Sequence, residues 1–150
     1  MTDKEIGRRL GSEEESVFLE LVRTTDALSR GLVQVFRIED VSATQYNVLR
    51  ILRGSPEGLS GGEIGRRMIT REPDITRLTE RLEKRKLILR RRRAEDRRTV
   101  IARITPVGLA LLDRLDEPVQ QAHHRQLGHL GPKRLKELSE LLAICRSRTN

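Results

Sequence analysis

Apolar residues recur at alternating steps of three and four from Phe18 through Leu21, Thr25, Leu28 and Leu32 to Val35. This sustained seam predicts a long helix over residues 13–37, widened by Val22, Val33 and Phe36. So long a seam beside a small lobe is expected to pack partly on another chain. Ser42-Ala43-Thr44-Gln45 then forms a capping box, with Val41 placed to staple onto Tyr46. Val48, Leu49, Ile51 and Leu52 continue that helix, and Gly54-Ser55-Pro56 stops it. A second box, Ser60-Gly61-Gly62-Glu63, opens a short helix ending near Met68, with Leu59 set to staple onto Ile64. Two glycines in its first turn cost about 1 kcal/mol each relative to alanine, so this helix needs tertiary support. Gly65 reads as a place where a neighbouring helix approaches closely.

After the turn Ile69-Thr70-Arg71, a third helix is expected from Glu72 to Arg85, with Pro73 tolerated in its first turn. Short helix, tight turn and longer helix make a helix-turn-helix. Residues 87–104 read as a hairpin turning at Ala94-Glu95-Asp96, because Val100, Ala102 and Ile104 alternate with Thr99, Ile101 and Arg103. Thr105-Pro106 is a cap and first-position pair opening a further helix, lined by Val107, Leu111, Leu115 and Val119 and expected to kink at Pro118. Gly128 and Gly131-Pro132 interrupt the chain before a last helix carrying Leu135, Leu138, Leu141, Leu142 and Cys145. The fold class is therefore mainly α with a small β wing. Residues 41–105 form a winged helix-turn-helix lobe, and segments 12–37 and 106–148 are helical dimerisation regions.

Charge sharpens this picture. Residues 77–98 hold eleven Lys/Arg against Glu80, Glu83, Glu95 and Asp96, a net +7 where the whole chain is +8. A field this local, on a helix followed by a hairpin, calls for a polyanion at one place, and double-stranded DNA fits that footprint. Three aromatic rings, Phe18, Phe36 and Tyr46, make a poor stacking platform for single-stranded nucleic acid.

On a helical wheel Ile75, Leu78 and Leu82 face the core, while Pro73, Thr76, Arg77, Glu80 and Lys84 lie opposite. A recognition helix meets base edges with its N-terminal residues, which selects Thr76 and Arg77. Arg81, Lys84 and Arg85 lie towards the outer end, where phosphates are the expected target, and Arg71 and Pro73 flank the helix start. Glu80 is expected to pair with Lys84 four residues on. The wing carries Arg90, Arg91, Arg92 and Arg93 on one arm and Arg97 and Arg98 on the other. Arg93, Arg97 and Arg98 at the tip have the reach to enter a minor groove.

The run Arg77-Leu78-Thr79-Glu80-Arg81-Leu82-Glu83-Lys84-Arg85-Lys86-Leu87-Ile88, with Asp96-Arg97-Arg98 and Ile104-Thr105-Pro106-Val107-Gly108 after it, resembles the MarR family of bacterial regulators. The helix, wing and following cap match in register, and the order of helices extends the likeness over nearly the whole chain. The resemblance implies a homodimer built from the first and last two helices, each lobe reading half of a palindromic operator as a repressor. It implies that Arg98 enters the minor groove and that Asp96 braces it. Lys86 departs from the pattern, which usually has Gly there, and would be strained if the position needs a positive φ. The family also implies a small-molecule effector held between dimer helices and lobe. Phe36, Tyr46, His123 and His124 are candidates to line such a pocket, or equally to pack.

No nucleophile motif, phosphate-binding glycine loop or carboxylate constellation marks an enzyme, and no cofactor is implied. His123, His124 and His129 lack the i, i+4 spacing of a helical metal site, with Gly128 intervening, so no metal is expected. Cys145 is the sole cysteine, on an apolar stripe where a buried, inert thiol is expected, and it permits no intrachain disulfide. With MTDKEIGRRLGSEEES lacking an apolar signal core, a cytoplasmic protein is expected. A non-specific architectural DNA-binding protein is the competing reading, without sequence preference or response to a signal.

Overall fold

In the computed structural model, which describes residues 11–149, the first helix, α1, spans Glu13–Phe36 and is capped by the Ser12 hydroxyl. The stretch expected to lack a signal core lies partly in residues 1–10, outside the described residues. A 3-10 turn, Arg37–Glu39, ends α1 and leaves Asp40 left-handed at φ 52°. Helix α2 spans Ala43–Arg53, and both bonds of its expected capping box form. Strand β1 is only Leu59–Ser60, and helix α3, Gly61–Arg67, begins on the second capping box. Helix α4 spans Ile75–Lys84, followed by strands β2, Ile88–Arg92, and β3, Val100–Ile104. The chain closes with α5, Pro106–Leu127, a 3-10 turn Gly128–Leu130, and α6, Gly131–Ser147.

The three strands form one antiparallel sheet in the order β1-β3-β2. Pairing of Ile88 with Ile104 and Arg90 with Ala102 puts Ile88 and Ala102 on the inner face, where both are buried. One core runs through the lobe and into α5: Val48, Leu49 and Leu52 of α2, Ile64 of α3, Leu82 of α4, and Leu112 and Leu115 are fully buried. Full burial of such side chains is worth about 1.5–3 kcal/mol each. The core thus fixes the lobe to the long helix that leaves it.

Several expectations need correction. Helix α4 starts at Ile75 instead of Glu72, because Asp74 accepts a bond from the Arg77 amide at 2.9 Å and serves as its cap. Pro73 therefore precedes the helix. Helix α5 does hold Pro118 within it, as expected. Gly65 is not needed for close approach, since a Cβ there would make ordinary contact with Ile75 at 3.7 Å. Cys145 is exposed on the single chain, because none of the described residues covers this face of α6, where no residue is buried.

Candidate nucleic-acid interface

Helix α4 has a sharply two-sided pattern, which decides what it presents. Leu78 and Leu82 are buried, and Ile75 is half-buried against the core. Thr79 is buried as well, its hydroxyl donating back to the Ile75 carbonyl at 2.9 Å, so a polar residue completes the inward stripe at no unsatisfied cost. Thr76, Arg77, Arg81 and Lys84 are exposed on the opposite face, and Arg71 and Pro73 are exposed on the loop before it. Asp74 caps the first turn and leaves the Arg77 side chain free to project.

The C-terminus of α4 closes with a left-handed residue. Lys86 sits at φ 59°, its amide bonded to the Glu83 carbonyl at 2.8 Å, while the Leu87 amide bonds to the Leu82 carbonyl at 3.1 Å. This is a Schellman ending, with Leu82 and Leu87 both buried beneath it. Lys86 therefore occupies the conformation that favours glycine.

Two clefts divide the candidate residues. One lies between the start of α2 and α4, lined by Ser42, Thr44, Asp74, Arg77 and Arg81. The other lies between α4 and the wing and brings Thr76 together with Arg98, Thr99 and Arg92. Arg77 thus lines the first cleft, from the helix, and Arg98 the second, from the wing.

The wing tip is held by its own polar groups. The Asp96 carboxylate accepts from the Arg98 amide at 3.0 Å and from the Thr99 hydroxyl at 3.1 Å. Asp96 thus braces the backbone beneath Arg98, in a turn that its carboxylate closes. Arg92 donates across the hairpin to the Arg97 carbonyl at 2.7 Å. Arg93, Arg97 and Arg98 remain exposed at the tip.

Not every cation of the basic segment is free to meet an anion. Arg90, on the inner face of β2, lies 3.7 Å from both Glu80 and Glu83, and its amide donates to Glu83 at 2.7 Å. Glu80 therefore turns to the wing instead of to Lys84, because the wing brings a less exposed guanidinium beside it. Arg85 donates to the carbonyls of Asp40 and Glu39 at 2.6 and 2.9 Å, so both its terminal nitrogens are engaged within the chain. The partners of Arg85 lie 45 and 46 residues away, beyond the reach of local patterning.

The base of the wing is keyed to α5 by Thr105. Its hydroxyl accepts from the Gly108 amide at 3.1 Å and lies 2.6 Å from the Lys86 carbonyl, to which it donates. Gly108 is obligatory: a Cβ there would fall 2.3 Å from the Leu87 carbonyl oxygen. On the far side, Arg53 grips Asp116 through two bonds of 2.7 and 2.9 Å, and Arg114 grips Glu39 through two of the same lengths. The hydrogen bond from Arg114 holds the Glu39 carboxyl below its ordinary range, and that from Arg53 does the same for Asp116.

The four effector-pocket candidates do not converge. The Phe36 and Tyr46 rings are buried and pack on each other at 4.6 Å, with the Tyr46 hydroxyl accepting from Arg50. Phe36 edges a cleft shared with Val33, Arg37 and Arg85, whereas His124 lines a different one with Gln121 and Arg125. His123 and His124 are both exposed. Among the described residues no group of three or more side chains is placed to hold a metal, and no helix is long and apolar enough to cross a membrane.

Comparison with known proteins adds four findings. A family model described as MarR matches residues 41–100, the lobe with most of its wing. A MarR transcription factor from Planctomyces limnophilus is 44% identical, covers 91% of this chain and 99% of its own, and superposes with a TM-score of 0.70. The homoprotocatechuate degradative operon repressor of Escherichia coli is 22% identical over 128 residues, 85% of this chain and 86% of the repressor. The fold also matches that of Bordetella bronchiseptica BpsR, whose DNA binding is regulated by 6-hydroxynicotinic acid: TM-score 0.82, 24% identity, 94% of this chain and 99% of that one.

Proposed function

The chain belongs to the MarR family, and on that premise we propose that it is a cytoplasmic repressor whose homodimer reads a palindromic operator. The observation that carries this reading is the cleft between α4 and the wing, which brings Thr76 together with Arg98, next to an exposed Arg77 on the same helix. A recognition helix entering a major groove N-terminus first places Thr76 and Arg77 at base edges. Arg77 then bonds guanine through O6 and N7, and the Thr76 methyl meets thymine. Arg71, Pro73, Arg81 and Lys84 lie around that helix as phosphate and sugar contacts. Arg93, Arg97 and Arg98 carry the wing tip into the flanking minor groove, where Asp96 fixes the turn that presents them.

The dimer is built from residues 12–37 and 106–148, and the lobe is residues 41–105. Support comes from the apolar surface left uncovered on one chain: Phe18 and Val22 on α1, with Leu141 and Ile144 on α6, are half or more exposed. Soluble monomers rarely leave patches of this kind open. By analogy with BpsR, an aromatic carboxylate is the class of effector that releases the operator.

The test is a salt-titrated comparison of one selected palindrome with random duplex. The palindrome is bound more tightly at every salt concentration if this reading holds, and equal affinity overturns it. With six to ten phosphate contacts per dimer, affinity falls by about 10³–10⁵ between about 50 and 200 mM salt.

A further inference from the structure

Arg85 belongs by sequence to the cationic segment, yet its guanidinium is spent inside the chain. It donates through Nη1 to the Asp40 carbonyl and through Nη2 to the Glu39 carbonyl. Those two carbonyls are not arbitrary. Helix α1 and its 3-10 turn end as α4 does, on a left-handed residue: the Asp40 amide bonds to the Arg37 carbonyl, and the Val41 amide to the Phe36 carbonyl, each at 3.2 Å. Asp40 at φ 52° is thus the counterpart of Lys86 at φ 59°, and Val41 over Phe36 is the counterpart of Leu87 over Leu82.

A helix C-terminus leaves carbonyls without intrahelical partners and carries partial negative charge, so a forked cation is well matched to it. Arg85 is itself the cap residue of α4. The two helix ends are therefore joined cap to cap. Glu39, whose carbonyl Arg85 takes, has its carboxylate held by Arg114 of α5. A continuous set of bonds runs from α5 through Glu39 to the end of the recognition helix.

We propose that Arg85 is a positioning residue, which fixes the angle of the recognition helix relative to α1 and α5 and thereby sets the spacing between half-sites that the dimer accepts. This rests on the reading of the chain as a dimeric operator-binding protein. Arg85 touches no phosphate in this scheme. The conformation that matters is set by two bonds of one planar group, which an ammonium cannot reproduce.

The experiment uses the full-length native chain with its Arg85→Ala and Arg85→Lys variants. Each is titrated against palindromes whose half-sites are separated by the selected spacing or by one base pair more or fewer, at several salt concentrations. The native dimer should prefer its selected spacing by about tenfold, within the range of a single mismatch. Both variants should bind the three spacings within about threefold of one another, far inside that mismatch cost. Their half-site base preference and salt dependence should match those of the native chain. Were Arg85 a phosphate contact, alanine would lower the slope of log affinity against log salt by about 1.8 for the two protomers, while lysine would restore it. That result, or native spacing preference in both variants, overturns the proposal. Failure of the native chain to prefer any palindrome over random duplex overturns instead the operator-binding reading, and the proposal with it.

Discussion

Lys86 holds a backbone conformation that costs an L-residue with a Cβ about 1–2 kcal/mol. The Schellman bonds around it and the burial of Leu82 and Leu87 enforce that conformation. Lys86→Gly should therefore stabilise the fold by about 0.5–1 kcal/mol, the relief being partly offset by greater freedom in the unfolded chain. Urea denaturation measures this, and an unchanged or lower midpoint would show that the strain is absent. On the reading surface, Arg77→Ala should relax base preference at one position of each half-site by about 1–3 kcal/mol, seen as a lost position in a selection from random duplexes. Arg98→Ala should instead weaken binding of the operator with its flanks while leaving dimerisation intact, seen in gel shifts alongside sedimentation. At this scale the sequence was a good guide wherever the controlling groups lie nearby. The αL position at Lys86 and the cap at Thr105 were legible because their partners follow within a turn or from a known pattern. The engagement of Arg85 was not legible because a guanidinium's partner is set by tertiary placement, and cations adjacent in sequence look alike on a charge plot.

Elements were legible for a related reason. Both capping boxes announced their helices because the box is a local exchange of two bonds, complete within four residues. The start of α4 was placed too early because Pro73 suits a first helical turn, whereas the Asp74 carboxylate beside it is the stronger cap. The wing's alternation predicted its two faces, but not that Arg90 would be retained beneath them by Glu80 and Glu83. The junction of wing and α5 carries a prediction of its own. Thr105→Val keeps the shape but loses both the cap of α5 and the bond to the Lys86 carbonyl. It should cost about 1–2 kcal/mol, and a chemical denaturation midpoint indistinguishable from native would refute that role for the hydroxyl.

At the scale of the whole molecule, apolar surface left open on α1 and α6 is the feature that the sequence foresaw through the length of its seam. Phe18→Asp combined with Leu141→Asp should yield a monomer by sedimentation, with loss of palindrome binding; a persistent dimer would place the interface elsewhere. Two carboxylates tie α5 to its neighbours, Asp116 to the lobe and Glu39 to the turn that ends α1, both held below their ordinary values of 4.5 and 3.8 by the arginines that grip them. A lowered folded-state pKa means that their contribution is complete above those ordinary values and disappears as pH falls through the folded ones. Stability should therefore drop on acidification below about pH 4.5, a sign fixed by linkage. Arg114→Gln should make that acid limb shallower in denaturation midpoints taken across the range. An identical limb would remove Glu39 from the account.

Arg53 on Asp116 ties the lobe to the helix that bears it, and Arg114 on Glu39 ties that helix to the turn that ends α1. The more firmly a reader is tied to its frame, the less it can follow a duplex whose two target faces are out of phase. The nucleic acid must supply the missing twist, and it does so most cheaply where pyrimidine–purine steps occupy the middle of the palindrome. Base pairs that no side chain touches thus become part of the address.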